Sequence, residues 1–333
     1  MMPVLALDVG GANLKIADGA GYARSVPFPL WQRPHGLAHA LAELIRVAPL
    51  GNRFVATMTG ELADCFSTKS EGVAAIVSAL QTATVGAELR IYLTDGTFVA
   101  PSLAIARPLA AAASNWHALA SFVARRYAPG YGLLIDVGST TCDIIPLVDG
   151  QAQALGRTDP ERLAAGELVY TGVVRSPVCA MAAHLPWRGQ LCPTAHEVFA
   201  TTRDAYLVLG DIAEDPSATD TADGRPATRS AARDRLARAI CADRDMFSED
   251  DAIAAAETIR RCQVALLESA LQKVLDRMSA RPTTIVLSGQ GEFLARYVPE
   301  LTNRQATIIS LASELGPVVS QCATAHALAA LAG

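Results

Sequence analysis

Residues 132–143 read GLLIDVGSTTCD. The apolar run Leu133–Ile135 predicts a buried strand with Asp136 at its end. Gly138, Ser139, Thr140 and Thr141 follow, and a second carboxylate stands at Asp143. Small residues let backbone approach an anion, and N–H and hydroxyl groups can donate to it. A carboxylate beside such a turn would repel a phosphate unless it held a divalent cation or oriented water. Taken alone, the stretch reads equally well as an ordinary Gly-Ser-Thr hairpin turn.

The chain opens on a second copy. Residues 4–15 read VLALDVGGANLK, an apolar run ending in Asp8, then Gly10, Gly11, Asn13 and Lys15. Aligned on Asp8 and Asp136, DVGGANLK matches DVGSTTCD as strand, Asp, Gly, turn. Such duplication predicts two related halves facing one cleft. The second strand of each hairpin falls at Leu14–Ala17 and Ile144–Val148. A third glycine turn, VLSGQGEFLA at 286–295, follows a strand at Thr284–Leu287 and carries Gly289 and Gly291 before a helical pattern. A strand, glycine turn and helix start favour a phosphate or nucleotide.

These three elements resemble the phosphate-one, phosphate-two and adenosine motifs of the actin, sugar-kinase and heat-shock-chaperone superfamily. The resemblance implies an α/β fold of two ribonuclease-H-like domains, the actin-like ATPase architecture, around a central ligand cleft. DVGGANLK departs from the usual D-x-G-T pattern by carrying Gly11 and Ala12. That removes a hydroxyl near the phosphates and weakens the case for ordinary ATP chemistry.

The bulk of the chain agrees. A length of 333 residues leaves room for two domains, and a hydrophobic share of 51% supplies a large core. The net charge of −5, with no basic run, argues against a nucleic-acid partner. Lysine occurs only at 15, 69 and 273, which draws attention to Lys15 and Lys69. Asp8 interrupts any signal peptide, and the uncharged stretch 315–333 reads as a buried C-terminal helix rather than a membrane span. Seven cysteines without a C-x-x-C predict reduced thiols in a cytoplasmic protein.

Strands are expected at 4–8, 14–17, 23–26, 53–57 and 89–93, with helices at 37–47, 72–83 and 115–127. Pro129-Gly130 marks the boundary between a first domain, 1–130, and a second, 131–333, with helical insertions and a C-terminal helix packing back on the first. The second half restarts with strands at 132–137, 141–148 and 151–154, the last two joined by an Asp149-Gly150 hairpin. Residues 211–229 read as a polar loop. Ser248 opens a long helix to about Met278, with Asp251 in capping-box position.

Further candidates lie outside the glycine turns. TMTGELADCF, 57–66, places Glu61 and Asp64 at a strand's C-terminal end, where such sheets bind ligands, or else as first-turn acids of a helix capped by Thr59. Arg175 lies between apolar segments, either binding an anion or pairing with a carboxylate such as Glu167. Thr201, Thr202 and Asp204 sit on an apolar helix over 195–211, and Asp220, Asp223 and Arg225 form a metal or lid candidate. Cys179, His184, Cys192 and His196 match no zinc-site spacing well and read as thiols and surface imidazoles.

DVGGANLK, TMTGELADCF, SNW at 114–116, DVGSTTCD, GELVYTGVVRSPV, EVFATT and DTADGRPAT together resemble one family. It is the hydantoinase-A/oxoprolinase-like family linked to tetrahydromethanopterin one-carbon metabolism. The resemblance implies a synthase of methanofuran or methylofuran biosynthesis, a transferase. Such an enzyme condenses an aminomethylfuran-methyl diphosphate with the phenol of a glutamyl-tyramine or tyrosine unit and releases diphosphate. Gly10, Gly11, Asn13, Gly138, Ser139, Thr140, Thr141, Gly289 and Gly291 would then cradle the diphosphate. Lys15 and Arg175 would offset leaving-group charge. Asp8, Asp136 and Asp143 would orient Mg²⁺, and Glu61 or Asp64 would deprotonate the phenol. Two alternatives stay open: an ATP-dependent kinase or hydantoinase-like hydrolase, with ATP or ADP in the cleft, and a nucleotide-binding protein without turnover. The partner expected is a diphosphate-bearing small molecule, with neither nucleic acid nor membrane; a homodimer is left open.

Overall fold

The computed structural model describes residues 4–298 and 306–333. The first lobe is a six-stranded sheet made of β1 (Val4–Val9), β2 (Asn13–Ala17), β3 (Ala23–Pro27), β4 (Arg53–Met58), β5 (Glu88–Tyr92) and β6 (Phe98–Val99), in the order β3-β2-β1-β4-β5-β6. The second repeats it with β7 (Gly132–Val137), β8 (Cys142–Val148), β9 (Gln151–Ala152), β10 (Leu168–Val169), β13 (Thr284–Ser288) and β14 (Thr307–Ser310). Its order is β10-β8-β7-β13-β14, with β9 also on β8. In each sheet an antiparallel hairpin, β1–β2 or β7–β8, is joined by parallel neighbours, β4–β5 or β13–β14. This is the ribonuclease-H-like arrangement, present twice. A separate hairpin, β11 (His184–Trp187) with β12 (Gln190–Pro193), belongs to the insertions of the second lobe.

Period-two alternation explains how the two sheets face each other. In β1, Leu5, Leu7 and Val9 pack outward with Leu41, Val73 and Ile76 of the helices Leu37–Arg46 and Lys69–Ala83. Val4 and Ala6 face inward, against Ala118 and Leu328. In β7, Leu133, Ile135 and Val137 pack on Leu267, Leu271 and Val274 of the helix Glu249–Arg277, while Leu134 turns inward to Trp116, Leu119 and Val123. The inner faces thus share two helices, Asn115–Tyr127 and Ala323–Ala332. Extending the alternation by one step puts Asp8 and Asp136 on these inner faces as well.

The long helix is capped by Ser248 and Asp251 in a reciprocal capping box. Asp149 and Gly150 both take positive φ, as a type I′ hairpin requires. Other expectations need correction. The C-terminal stretch is not one helix: Gly316, at φ +78°, and Pro317 open a short turn, Pro317–Ser320, before the buried helix Ala323–Ala332. The helix after β4 starts at Lys69 and is capped by Thr68, not Thr59. The helix expected over 195–211 spans only Thr202–Leu209, because Thr201 and Asp204 close a capping box there. All seven cysteines are free. Among the described residues no helix is long and apolar enough to cross a membrane.

Candidate active site

Asp8 and Asp136 occupy equivalent places in their sheets. Asp8 is flanked by Lys15 on β2 and Thr57 on β4; Asp136 is flanked by Asp143 on β8 and Ser288 on β13. Both glycine turns are closed the same way, by Gly10 N–H donating to the Asn13 carbonyl at 3.0 Å and Gly138 N–H to the Thr141 carbonyl at 2.8 Å. The Lys15 charge acts on both carboxylates, pulling each toward ionisation.

Burial dominates the electrostatics. It pushes Asp8 up from the ordinary carboxylate range, and Lys15, 3.8 Å away, pulls partly back. Asp136 rises to about 6, first through burial and then through repulsion from Asp143, with Ser288 hydrogen-bonding to its charged form. Asp8 Oδ1 is buried with no hydrogen-bond partner. An orphaned, buried carboxylate oxygen suits a hard divalent cation that completes its shell with water and phosphate oxygens. Asp8 therefore has the donor chemistry that Mg²⁺ takes.

Asp143 does not join them. Its Oδ1 accepts from Arg162 Nη2 at 2.5 Å, and the Arg162 guanidinium stacks over Trp116 at 4.3 Å from the ring centroid. A carboxylate neutralised by a buried guanidinium is poorly placed to ligate a metal. Among the described residues no group of three His, Cys, Asp or Glu side chains is disposed to hold one. That also removes the Cys179, His184, Cys192, His196 set; His184 and Cys192 lie on the β11–β12 hairpin. The 220–225 loop is likewise ionic rather than metal-binding: Asp220 pairs with Arg203, and Asp223 with Arg225, Arg235 and Arg238.

The three turns differ in what they offer. Ser139 and Thr140 bring two hydroxyls to the second, while the Gly11-Ala12 tip of the first brings none. At the third, the glycines serve close packing. Gly289 has φ +88°, and a Cβ there would stand 2.3 Å from the Val137 carbonyl oxygen and 2.7 Å from Asp136 Oδ1. The segment that follows it, Glu292–Tyr297, is a 3-10 helix rather than an α-helix.

Residues 53–332 match the profile of the Hydantoinase/oxoprolinase family. The chain belongs to this family. A protein of Methanocaldococcus jannaschii is 33% identical over 332 residues, covering 98% of this chain and 97% of that one. It is named (4-{4-[2-(gamma-L-glutamylamino)ethyl]phenoxymethyl}furan-2-yl)methanamine synthase. A protein of the same name from Methanococcus vannielii is 35% identical over 190 residues, 56% of this chain and 84% of its own. A nucleotide-free acetone carboxylase shares the fold, with a TM-score of 0.56 at 12% identity over 98% of this chain and 70% of that one.

The remaining residues of this hydantoinase/oxoprolinase-family site come from loops. Val173 N–H donates to the Gly138 carbonyl, and Val174 and Arg175 N–H both donate to that of Ser139. Gly172 packs on the Ser139–Thr140 backbone, and Gln263 and Thr202 donate to its carbonyl at 2.9 and 2.7 Å. Arg175 is thereby fixed beside the second turn, and its guanidinium lies over Trp31 of the first lobe, 5.3 Å from the ring centroid. Trp31 follows Leu30, whose N–H donates to the Gly11 carbonyl of the first turn. Glu167, the alternative partner of Arg175, is instead held by Arg277 and by the Leu155 and Gly156 N–H groups.

Glu61 is 1% exposed, whereas Asp64 is on the surface. Glu61 Oε1 lies 3.8 Å from Lys69 Nζ, its Oε2 has no partner, and burial raises its carboxyl to about 7. Lys69 also bonds Asp159 of the second lobe at 2.6 Å. Arg162, Asp159, Trp31 and Ser288 are site residues that sequence reasoning missed. The SNW run flagged Trp116, and the scarcity of lysine flagged Lys69, but neither signal pointed to a partner.

Proposed function

We propose that this chain is a synthase of methanofuran-type cofactor biosynthesis. It joins an aminomethylfuran-methyl diphosphate to the phenol oxygen of a glutamyl-tyramine or tyrosine unit and releases diphosphate, and is thus a transferase. The observation that carries this reading is the 33% identity, over 98% of the chain, to a synthase whose named product is a phenoxymethyl-furan. The paired inner-face carboxylates support it, since a diphosphate leaving group needs a cation-holding cleft.

The residues divide the work as follows. Asp8 and Asp136 would hold Mg²⁺, which when bound neutralises diphosphate oxygens. The hydroxyls of Ser139 and Thr140, with the backbone at Gly10, Gly11, Asn13, Gly138 and Thr141, cradle the phosphates. Lys15 and Arg175 take up charge as the leaving group departs. A furfuryl carbon ionises readily because the ring oxygen stabilises the cation, so leaving-group stabilisation is the main task. Glu61 accepts the phenol proton; its elevated pKa suits a base working near neutrality. Asp64, being exposed, is the weaker candidate. Incubation with the furan diphosphate and candidate phenols should release pyrophosphate and coupled ether, read by mass spectrometry. Turnover of ATP without coupling would favour the kinase or hydrolase reading; nucleotide binding without either would favour a nucleotide-binding protein without turnover.

A further inference from the structure

A pocket of about 250 Å³ opens between the lobes. The first lobe contributes Lys69, Leu109, Ala112 and Ala113, the second Asp159 and Pro160 at the start of a helix. Its walls are apolar apart from the Lys69–Asp159 ion pair and Thr158, the cap of that helix. A dry cavity of about 150 Å³ holds benzene, so this one has room for an aromatic ring with a substituent.

Three observations link the pocket to chemistry. Lys69 Nζ is shared between Asp159, on the wall, and Glu61, just behind it. Glu61 Oε2 is buried with no partner among the protein atoms, so it is open to a hydrogen bond from a ligand. Ala113, on the wall, is held at φ +47°, a strained region for a residue with a side chain. Glu61, which does not itself line the pocket, adjoins the first glycine turn. Gly60, next to Glu61, packs so tightly on the first turn that a Cβ would stand 3.3 Å from the Gly10 carbonyl.

We propose, resting on the condensing reading above, that this pocket is the acceptor subsite: it takes the ring of a para-substituted phenol and presents the hydroxyl to Glu61. The phenol proton passes to the Glu61 carboxylate. The freed oxygen pair forms the bond to the exocyclic furan carbon, and the carbon–oxygen bond to diphosphate breaks, its electron pair leaving with the diphosphate. The ring packs on Leu109, Ala112 and Pro160, and its para substituent points to the open side of the pocket.

The test compares wild type, Ala112→Phe and Leu109→Trp, varying γ-glutamyl-tyramine and the furan diphosphate separately. Leu109 is largely exposed, so Leu109→Trp keeps the test open should Ala112→Phe fail to fold. Filling the pocket is expected to raise KM for the phenol tenfold or more and to leave KM for the furan diphosphate within twofold. An unchanged phenol KM in a folded variant overturns the assignment, as does a rise confined to the furan diphosphate. Should wild type fail to couple at all, the proposed function falls, and calorimetry decides the pocket on its own. Binding of γ-glutamyl-tyramine that is lost in Leu109→Trp upholds a phenol site; no binding, or binding unaltered by the substitution, removes it.

Discussion

The Arg175 guanidinium lies over the Trp31 ring, 5.3 Å from its centroid, and so joins the second glycine turn to the first across the cleft. Each partner is anchored by its own backbone, Arg175 to the Ser139 carbonyl and the Trp31 segment to the Gly11 carbonyl through Leu30. The contact is exposed and is worth about 0.5–1 kcal/mol, too little to hold the lobes shut but enough to aim a cation at the space between the turns.

Arg175→Met should therefore melt close to wild type and lose rate. Losing one charge-assisted donor to a leaving group costs about 2–4 kcal/mol of barrier, roughly a thirty- to thousandfold fall in kcat/KM. Arg175→Lys should recover only part, since a point charge cannot bind phosphate oxygens in two-pronged fashion. Pyrophosphate affinity, measured by calorimetry, should fall in both variants. Wild-type affinity in Arg175→Met and in Lys15→Met would move the diphosphate site elsewhere.

Asp136→Asn should abolish turnover and leave the fold intact. The amide keeps the shape, loses attraction for Mg²⁺, and relieves the repulsion that Asp143 exerts across the β7–β8 ladder. Its melting temperature should not fall below that of wild type. Full activity at limiting Mg²⁺ would remove Asp136 from the metal site.

Glu61 makes a prediction about stability against pH. Its carboxyl is raised to about 7 from 4.5, so folding favours the protonated form. That contribution is fully present below pH 4.5 and is lost as pH rises through 7. Glu61→Gln should then melt above wild type at pH 8, by a free energy on the order of 2–3 kcal/mol, with the gap closing toward pH 4.5. The same titration makes wild-type coupling fall as pH drops below about 7. Thermal melts from pH 4.5 to 8 check the sign: a variant less stable than wild type at pH 8 would refute the buried-carboxylate account.

Arg162→Met should destabilise strongly, because it strands Asp143 as a buried unpaired charge and strips the stacking partner from Trp116. Breaking one side of a buried ion pair costs about 3–5 kcal/mol. The double variant Arg162→Met with Asp143→Asn should regain much of that loss in urea unfolding. Equal destabilisation in the single and double variants would show that stacking, not charge, carries the effect.

The twin strand–Asp–glycine turns were legible in the sequence because each is local. An apolar run ending in Asp and a glycine turn specify a hairpin wherever they occur, and their repetition implies the duplicated fold. Alternation then assigns Asp8 and Asp136 to the inner faces. The Ser248 capping box and the Asp149-Gly150 turn were readable for the same reason: their hydrogen bonds close within a few residues. The fate of each charge was not local. Asp136 and Asp143 look alike in DVGSTTCD, yet Arg162, from a helix beyond the hairpin, binds one and leaves the other free. Glu61 and Asp64 lie three residues apart, yet Gly72 packs against the Glu61 backbone and Glu61 is buried while Asp64 stays in water. Trp31 and Arg175 meet from opposite lobes. A side chain's protonation and reach depend on the dielectric and the partners that the folded chain brings to it, and those come from residues far away in sequence.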